Sequence, residues 1–133
     1  MAKLRTVRTT KAASGAVAVR LAIGHHYLIA DTSPDNGGDD IGADPHELLD
    51  AALASCTALT LTLYARRKGM KLGNVEVEVD HEESDGVCRM RRDVRLAGEL
   101  SVDERTRLLE IANRCPVHRT LSGRFEITSR LVD

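Results

Sequence analysis

Cys56 and Cys115, fifty-nine positions apart, are the residues of this chain whose settings point most directly to chemistry. Cys115 opens the run Cys115-Pro116-Val117-His118-Arg119-Thr120-Leu121-Ser122-Gly123. Pro116 suits the first position of a helix, so the Cys115 sulfur is expected at the positive end of a helix dipole with His118 and Arg119 adjacent, a setting that favours the thiolate. The plain alternative is that Cys115 merely caps a turn. Cys56 lies within Asp44-Pro45-His46-Glu47-Leu48-Leu49-Asp50-Ala51-Ala52-Leu53-Ala54-Ser55-Cys56-Thr57, midway along an apolar helix. A thiol among Ala and Leu behaves as a small buried hydrophobe and is inert unless a cation or a helix N-terminus activates it. A buried nucleophile on one helix and a second thiol at the start of another would form a redox pair, and a thiol redox site is the leading reading. Cys88, in an alternating strand beside Arg89 with neither a helix end nor a proline nearby, reads as a spectator.

Other chemistries fare worse. Cys56, Cys115, His118, His25 and His26 are ligand types a metal centre uses, but no CxxC, HExxH or similar paired spacing is present, so no metal and no cofactor are expected. No G-x-S-x-G nucleophile elbow occurs either. With one Phe, two Tyr and no Trp there is little on which to stack a base, and Lys+Arg 19 against Asp+Glu 20 leaves no basic face for nucleic acid. The densest basic stretch, Arg89, Arg91, Arg92 and Arg95, reads as a solvated strand face.

Three cysteines do not make a structural disulfide framework, so any disulfide should be transient or catalytic. Met1-Ala2-Lys3-Leu4-Arg5 lacks the apolar stretch of a signal peptide, and the segment from Leu48 to Leu63 carries Asp50 and falls short of the ~20 residues that span a bilayer. A cytoplasmic protein with no membrane partner is expected. A length of 133 residues implies a single domain over 1–133, and 42% hydrophobic with 29% charged residues implies that it folds.

The elements that must position the thiols follow from local signals. Residues 3–10 and 16–30 read as strands, punctuated by Ala13-Ser14-Gly15 and Gly24-His25-His26, which makes an opening β-meander. Thr32 through Gly42 concentrates turn formers into a loop long enough to act as a lid. Asp44, Pro45 and Glu47 form a capping-box start to a helix that is apolar on nearly all sides and ends at Tyr64-Ala65-Arg66-Arg67-Lys68-Gly69. Such a helix must be buried all round, and one sheet of one chain covers only one face, so a partner subunit is the natural cover. Val75–Val79 and Val87–Leu100 alternate as a hairpin around Ser84-Asp85-Gly86, Ser101-Val102-Asp103-Glu104 caps a second helix over 102–113, and Arg124 to Val132 reads as a last strand. The order implies an α+β fold.

From Gly42 through Cys56-Thr57 to Gly69, and again at Cys115-Pro116-Val117-His118-Arg119-Thr120-Leu121, the chain resembles the OsmC/Ohr family of osmotically inducible and organic hydroperoxide resistance proteins. The resemblance implies an OsmC-like fold, with antiparallel sheets and a long buried central helix, in an intertwined homodimer. It further implies a thiol peroxidase of peroxiredoxin-like activity, in which Cys56 is oxidised to a sulfenic acid by an organic hydroperoxide. Cys115 then condenses with it to a disulfide, which a dithiol such as a lipoylated protein reduces.

In the well-studied hydroperoxidases an Arg stabilises the thiolate and a Glu directly after the helix-start Pro holds that Arg. Here His46 follows Pro45, and Glu47 stands one residue, roughly 100°, further round the helix. Residues 31–44 contain no Arg, which leaves Arg20 and Arg119 as candidates for the activating cation, with His118 and His46 as substitutes. Two other readings compete with the peroxidase: a stress-related protein of the same fold that binds an apolar ligand, and a thiol-transfer enzyme with Cys115 as nucleophile.

Overall fold

Short turns organise the first part of the chain. In the computed structural model, which describes residues 4–132, β1 (Val7–Lys11), β2 (Val19–Ile23) and β3 (His26–Ala30) form an antiparallel sheet in the order β1-β2-β3, with Val7 opposite Ile23 and Val19 opposite Ala30. This is the expected meander. Its first strand starts at Val7 rather than residue 3, which lies outside the described residues, and His26 belongs to β3 rather than to the turn.

The loop after β3 is tied to Asp31, whose Oδ2 accepts from the backbone N–H of Asp39 at 3.1 Å and of Ile41 at 3.2 Å. Burial alone would raise the Asp31 pKa, but the backbone donors of Ile41, Thr32 and Asp39 outweigh it and hold the carboxyl below its usual range. One turn of 3₁₀ helix, Pro34–Asn36, occupies the middle of the loop.

The chain divides into two compact units, Met1–Leu49 and Asp50–Asp133. Helix α1 (Pro45–Lys68) begins in the first, where Glu47 Oε1 accepts from the Asp44 N–H at 2.9 Å and Asp44 Oδ1 accepts from the His46 N–H at 2.9 Å. It ends in a Schellman motif: Gly69 adopts φ 68°, its N–H reaches Arg66 O, and Met70 N–H reaches back to Ala65 O at 2.9 Å. The helix has 24 residues, between the cap and the basic end expected from the sequence, and is long and apolar enough to cross a membrane by length and composition. A core helix meets the same criteria.

Only one stripe of α1 is buried: Leu53, Thr57, Leu61 and Ala65, four residues apart. The expectation of all-round burial is therefore not met within one chain, and Leu59 and Leu63 remain 65% and 51% exposed.

The rest of the second unit packs on that stripe. β4 (Lys71–Ser84) and β5 (Val87–Glu99) form a two-stranded antiparallel sheet around Asp85-Gly86, both with positive φ, as a two-residue I′-type hairpin turn requires. Period-2 alternation turns Val75, Val94 and Leu96 inward, where they meet Leu61, Ala65, Leu108, Ile111 and Ala112. The last three come from α2 (Val102–Ala112), which opens on a complete Ser101/Glu104 capping box. α3 (Pro116–Leu121) follows at once.

Residues 124–132 form no strand, contrary to the alternation of Phe125, Ile127 and Leu131 with polar residues. Among the described residues no strand pairs with them, and Ile127 and Leu131 are exposed.

Candidate functional site

Cys115 is the N-cap of α3 and is 0% exposed. Its extended backbone (φ −63°, ψ 145°) turns the side chain back over the helix start, where Sγ accepts from the His118 N–H at 3.3 Å. The cysteine thus does what Ser or Asp usually does at that position.

Two further groups converge on the same sulfur. Thr57 Oγ1 lies 3.8 Å from it and Arg92 Nη1 lies 4.0 Å from it. Thr57 is fully buried, donates its hydroxyl hydrogen to Leu53 O at 2.7 Å and accepts from Arg92 Nη1 at 3.1 Å. Its single hydrogen being spent, Thr57 can only accept from a Cys115 thiol.

Arg92 uses its other end-nitrogen for Asn113 Oδ1 at 3.0 Å and His118 Nδ1 at 3.1 Å. A guanidinium only donates, so His118 must present a lone pair at Nδ1 and carry its hydrogen at Nε2. Burial first, and the Arg92 charge second, push the His118 pKa below its ordinary 6.5, in keeping with that tautomer.

Arg92 was expected on a solvated strand face, and the structure corrects this. Arg91 pairs with Asp80, Arg95 with Glu78, and Arg89 donates to Ser84, all exposed, whereas Arg92 points inward. The signal was present in the sequence: Met90, Arg92, Val94 and Leu96 share one phase of the period-2 alternation.

Arg92, Asn113 and His118 border an open cleft of about 390 Å³, walled by Leu53, Met90, Leu109 and Leu121, with Cys88 and Ser122 supplying further polar groups. Asp50 on α1 and His81 on β4 form a second, part-buried polar contact, with Nδ1 2.7 Å from Oδ1, and sequence reasoning missed it because the partners are thirty-one residues apart.

The other candidates are placed as follows. Cys56 is half-buried on α1, with Thr60 Oγ1 3.9 Å from its sulfur, while the adjacent Thr57 turns toward Cys115. Arg119 is exposed, and it is its backbone N–H, not its guanidinium, that meets Cys115, at the carbonyl oxygen 3.1 Å away. In the first unit, Arg20 stacks over the Tyr27 ring at 3.8 Å, the His46 ring lies 3.6 Å from Asp44, and Glu47 is engaged in the helix cap. His25 and His26 stack with ring centroids 4.3 Å apart. Cys88 is exposed on β5, and desolvation followed by the charges of Glu83 and Asp50 pushes its thiol up.

Residues 37–130 match the family described as OsmC-like protein. No curated protein matches the chain significantly. Among solved structures, an OsmC-like protein from Mycoplasma pneumoniae is 21% identical with a TM-score of 0.76, over 92% of this chain and 90% of that one. A putative osmotic stress induced and detoxification response protein from Psychrobacter arcticus is 20% identical with a TM-score of 0.75, over 90% of each chain. The organic hydroperoxide resistance protein OhrB of Bacillus subtilis is 19% identical with a TM-score of 0.60, over 89% of this chain and 91% of that one. At such identities these structures share the α+β fold. With a family match that covers most of its length, the chain belongs to the OsmC-like family.

Proposed function

We propose that this protein is a cysteine-based thiol peroxidase that reduces organic hydroperoxides and works as a homodimer. The observation that carries the reading is the convergence of Arg92, Thr57 and the His118 N–H on the buried sulfur of Cys115, beside the helix that carries Cys56. Family membership and the hydroperoxide resistance protein among the structural relatives support it.

Cys56 is the more accessible of the two thiols and meets the peroxide first. Its thiolate attacks the peroxide oxygen, the O–O bond breaks, and with one proton the alkoxide leaves as the alcohol, so that ROOH becomes ROH and Cys56 becomes a sulfenic acid. Cys115 then attacks that sulfur, water leaves, and a disulfide forms that a dithiol reduces by exchange. For this step Cys115 must give up its contacts with Thr57 and Arg92, which hold it in the reduced state. The partner subunit covers the exposed side of α1.

A second reading is favoured by the Arg92 position itself, since the guanidinium lies at Cys115 rather than Cys56: Cys115 attacks and Cys56 resolves. Intact mass and thiol count of the reduced protein, before and after one equivalent of cumene hydroperoxide, test both. Loss of two thiols in the wild type, with a sulfenic acid trapped at Cys56 in Cys115→Ser, is the expected result. A sulfenic acid at Cys115 in Cys56→Ser favours the second reading, and unchanged thiols refute the peroxidase and leave an apolar-ligand-binding protein.

A further inference from the structure

The turn end of the β4–β5 hairpin brings together three side chains that the thiol chemistry does not use. Glu83 and Cys88 stand directly opposite each other in the register, and His81 precedes Glu83 by two residues on the same face. One ligand atom from each of His81, Glu83 and Cys88 lies within 4.8 Å of the other two, with His81 Nε2 3.8 Å from Glu83 Oε1. We propose that these three residues form a binding site for a divalent transition metal of the zinc class.

Donor chemistry and geometry agree on that class. Sulfur, imidazole nitrogen and one carboxylate oxygen suit zinc and its neighbours, whereas calcium and magnesium take oxygen alone. In a tetrahedral zinc site, bonds of about 2.0–2.3 Å put adjacent ligand atoms roughly 3.3–3.6 Å apart. Glu83 and Cys88 are exposed and reach that spacing by side-chain rotation, with the backbone register unchanged.

The third ligand is already held in place. His81 and Asp50 are only 13% and 16% exposed at their side chains, and both Asp50 oxygens lie within 2.8 Å of His81 Nδ1. With the Nδ1 hydrogen donated to this carboxylate, Nε2, 3.8 Å from Glu83 Oε1, is the ring nitrogen that would ligate the metal. Carboxylate–histidine–metal arrangements orient first ligands in this way, and the outer carboxylate contributes roughly 10–100-fold in affinity. Three protein ligands leave the fourth position to water or another small ligand. Binding exchanges the Cys88 S–H bond for a sulfur–metal bond and releases one proton, so affinity rises with pH.

Titration of the full-length, reduced protein without a His tag with Co²⁺ reads out the site directly, since a bound thiolate gives a near-ultraviolet sulfur-to-cobalt charge-transfer band. One Co²⁺ per chain is expected, displaced by Zn²⁺, with the band lost in Cys88→Ser and affinity lowered at least tenfold in Glu83→Gln. Both substitutions are at exposed positions, and Asp50→Asn should weaken binding while the band persists. Absence of the band, its survival in Cys88→Ser, or its loss only in Cys56→Ser or Cys115→Ser overturns the proposal. The outcome is independent of whether the protein reduces peroxides.

Discussion

Arg92 spends its donors on Thr57, Cys115, Asn113 and His118, and among the described residues no carboxylate pairs with it. Its charge is therefore directed at the sulfur and not cancelled beside it. In the proposed cycle it acts on the second step, because it touches Cys115. Arg92→Met should lengthen the life of the Cys56 sulfenic acid by roughly 10–1000-fold while leaving its formation rate near wild type, and Arg92→Lys should recover part of the loss. Trapping the sulfenic acid with a carbon nucleophile over time measures this, and an unchanged lifetime refutes the role.

His118 offers a test by pH. Its folded-state pKa is depressed, so the unfolded chain binds more protons below about 6.5 and stability rises with pH there. The contribution is fully present above that value and is lost as pH falls through the folded pKa. A His118 NMR titration midpoint below 6.5 is expected, and denaturant unfolding of His118→Gln should lose less stability than wild type between pH 7.5 and 5.5. A midpoint above 6.5 contradicts the Arg92–His118 contact.

The helix starts on either side of the hairpin were legible at the level of elements because capping is local. Asp44 and Glu47, and Ser101 and Glu104, each meet within three residues, and both pairs form the expected bonds. The same locality marked Cys115-Pro116 as a helix start. Arg92 was obscured by grouping it with its charged neighbours instead of with its phase on the strand. Ser101→Ala should cost about 1 kcal/mol through loss of the cap. Leu61→Ala should cost roughly 2–5 kcal/mol, because Leu61 is 0% exposed at the centre of the cluster made by α1, α2 and the hairpin. Urea unfolding of the two variants checks both, and a loss below 1 kcal/mol at Leu61 would mean that the cluster is not the core of its unit.

At the scale of the whole molecule, one chain leaves two apolar features without cover. Leu59 and Leu63 are exposed on α1, and Phe125, Ile127 and Leu131 alternate along a C-terminal segment that pairs with no strand among the described residues. Large exposed apolar side chains such as these are what the proposed homodimer would cover. Leu59→Glu together with Leu63→Glu should shift the protein to monomer in sedimentation equilibrium. A wild type that is already monomeric at micromolar concentration would refute the dimer.

The sequence by itself determined what is written in neighbouring residues: the helix caps, the Asp85-Gly86 turn, the alternation of the hairpin, the α+β order of elements, and the two thiols with the motifs around them. Tertiary structure decided which groups meet across long separations. It placed Thr57 rather than Cys56 against Cys115, turned Arg92 inward to both, and brought His81 to Asp50 and toward Glu83 and Cys88. The division has a physical cause. Caps and turns are satisfied within one turn of chain, whereas a helix facing and a strand register are chosen together by the packing of side chains that the sequence lists far apart.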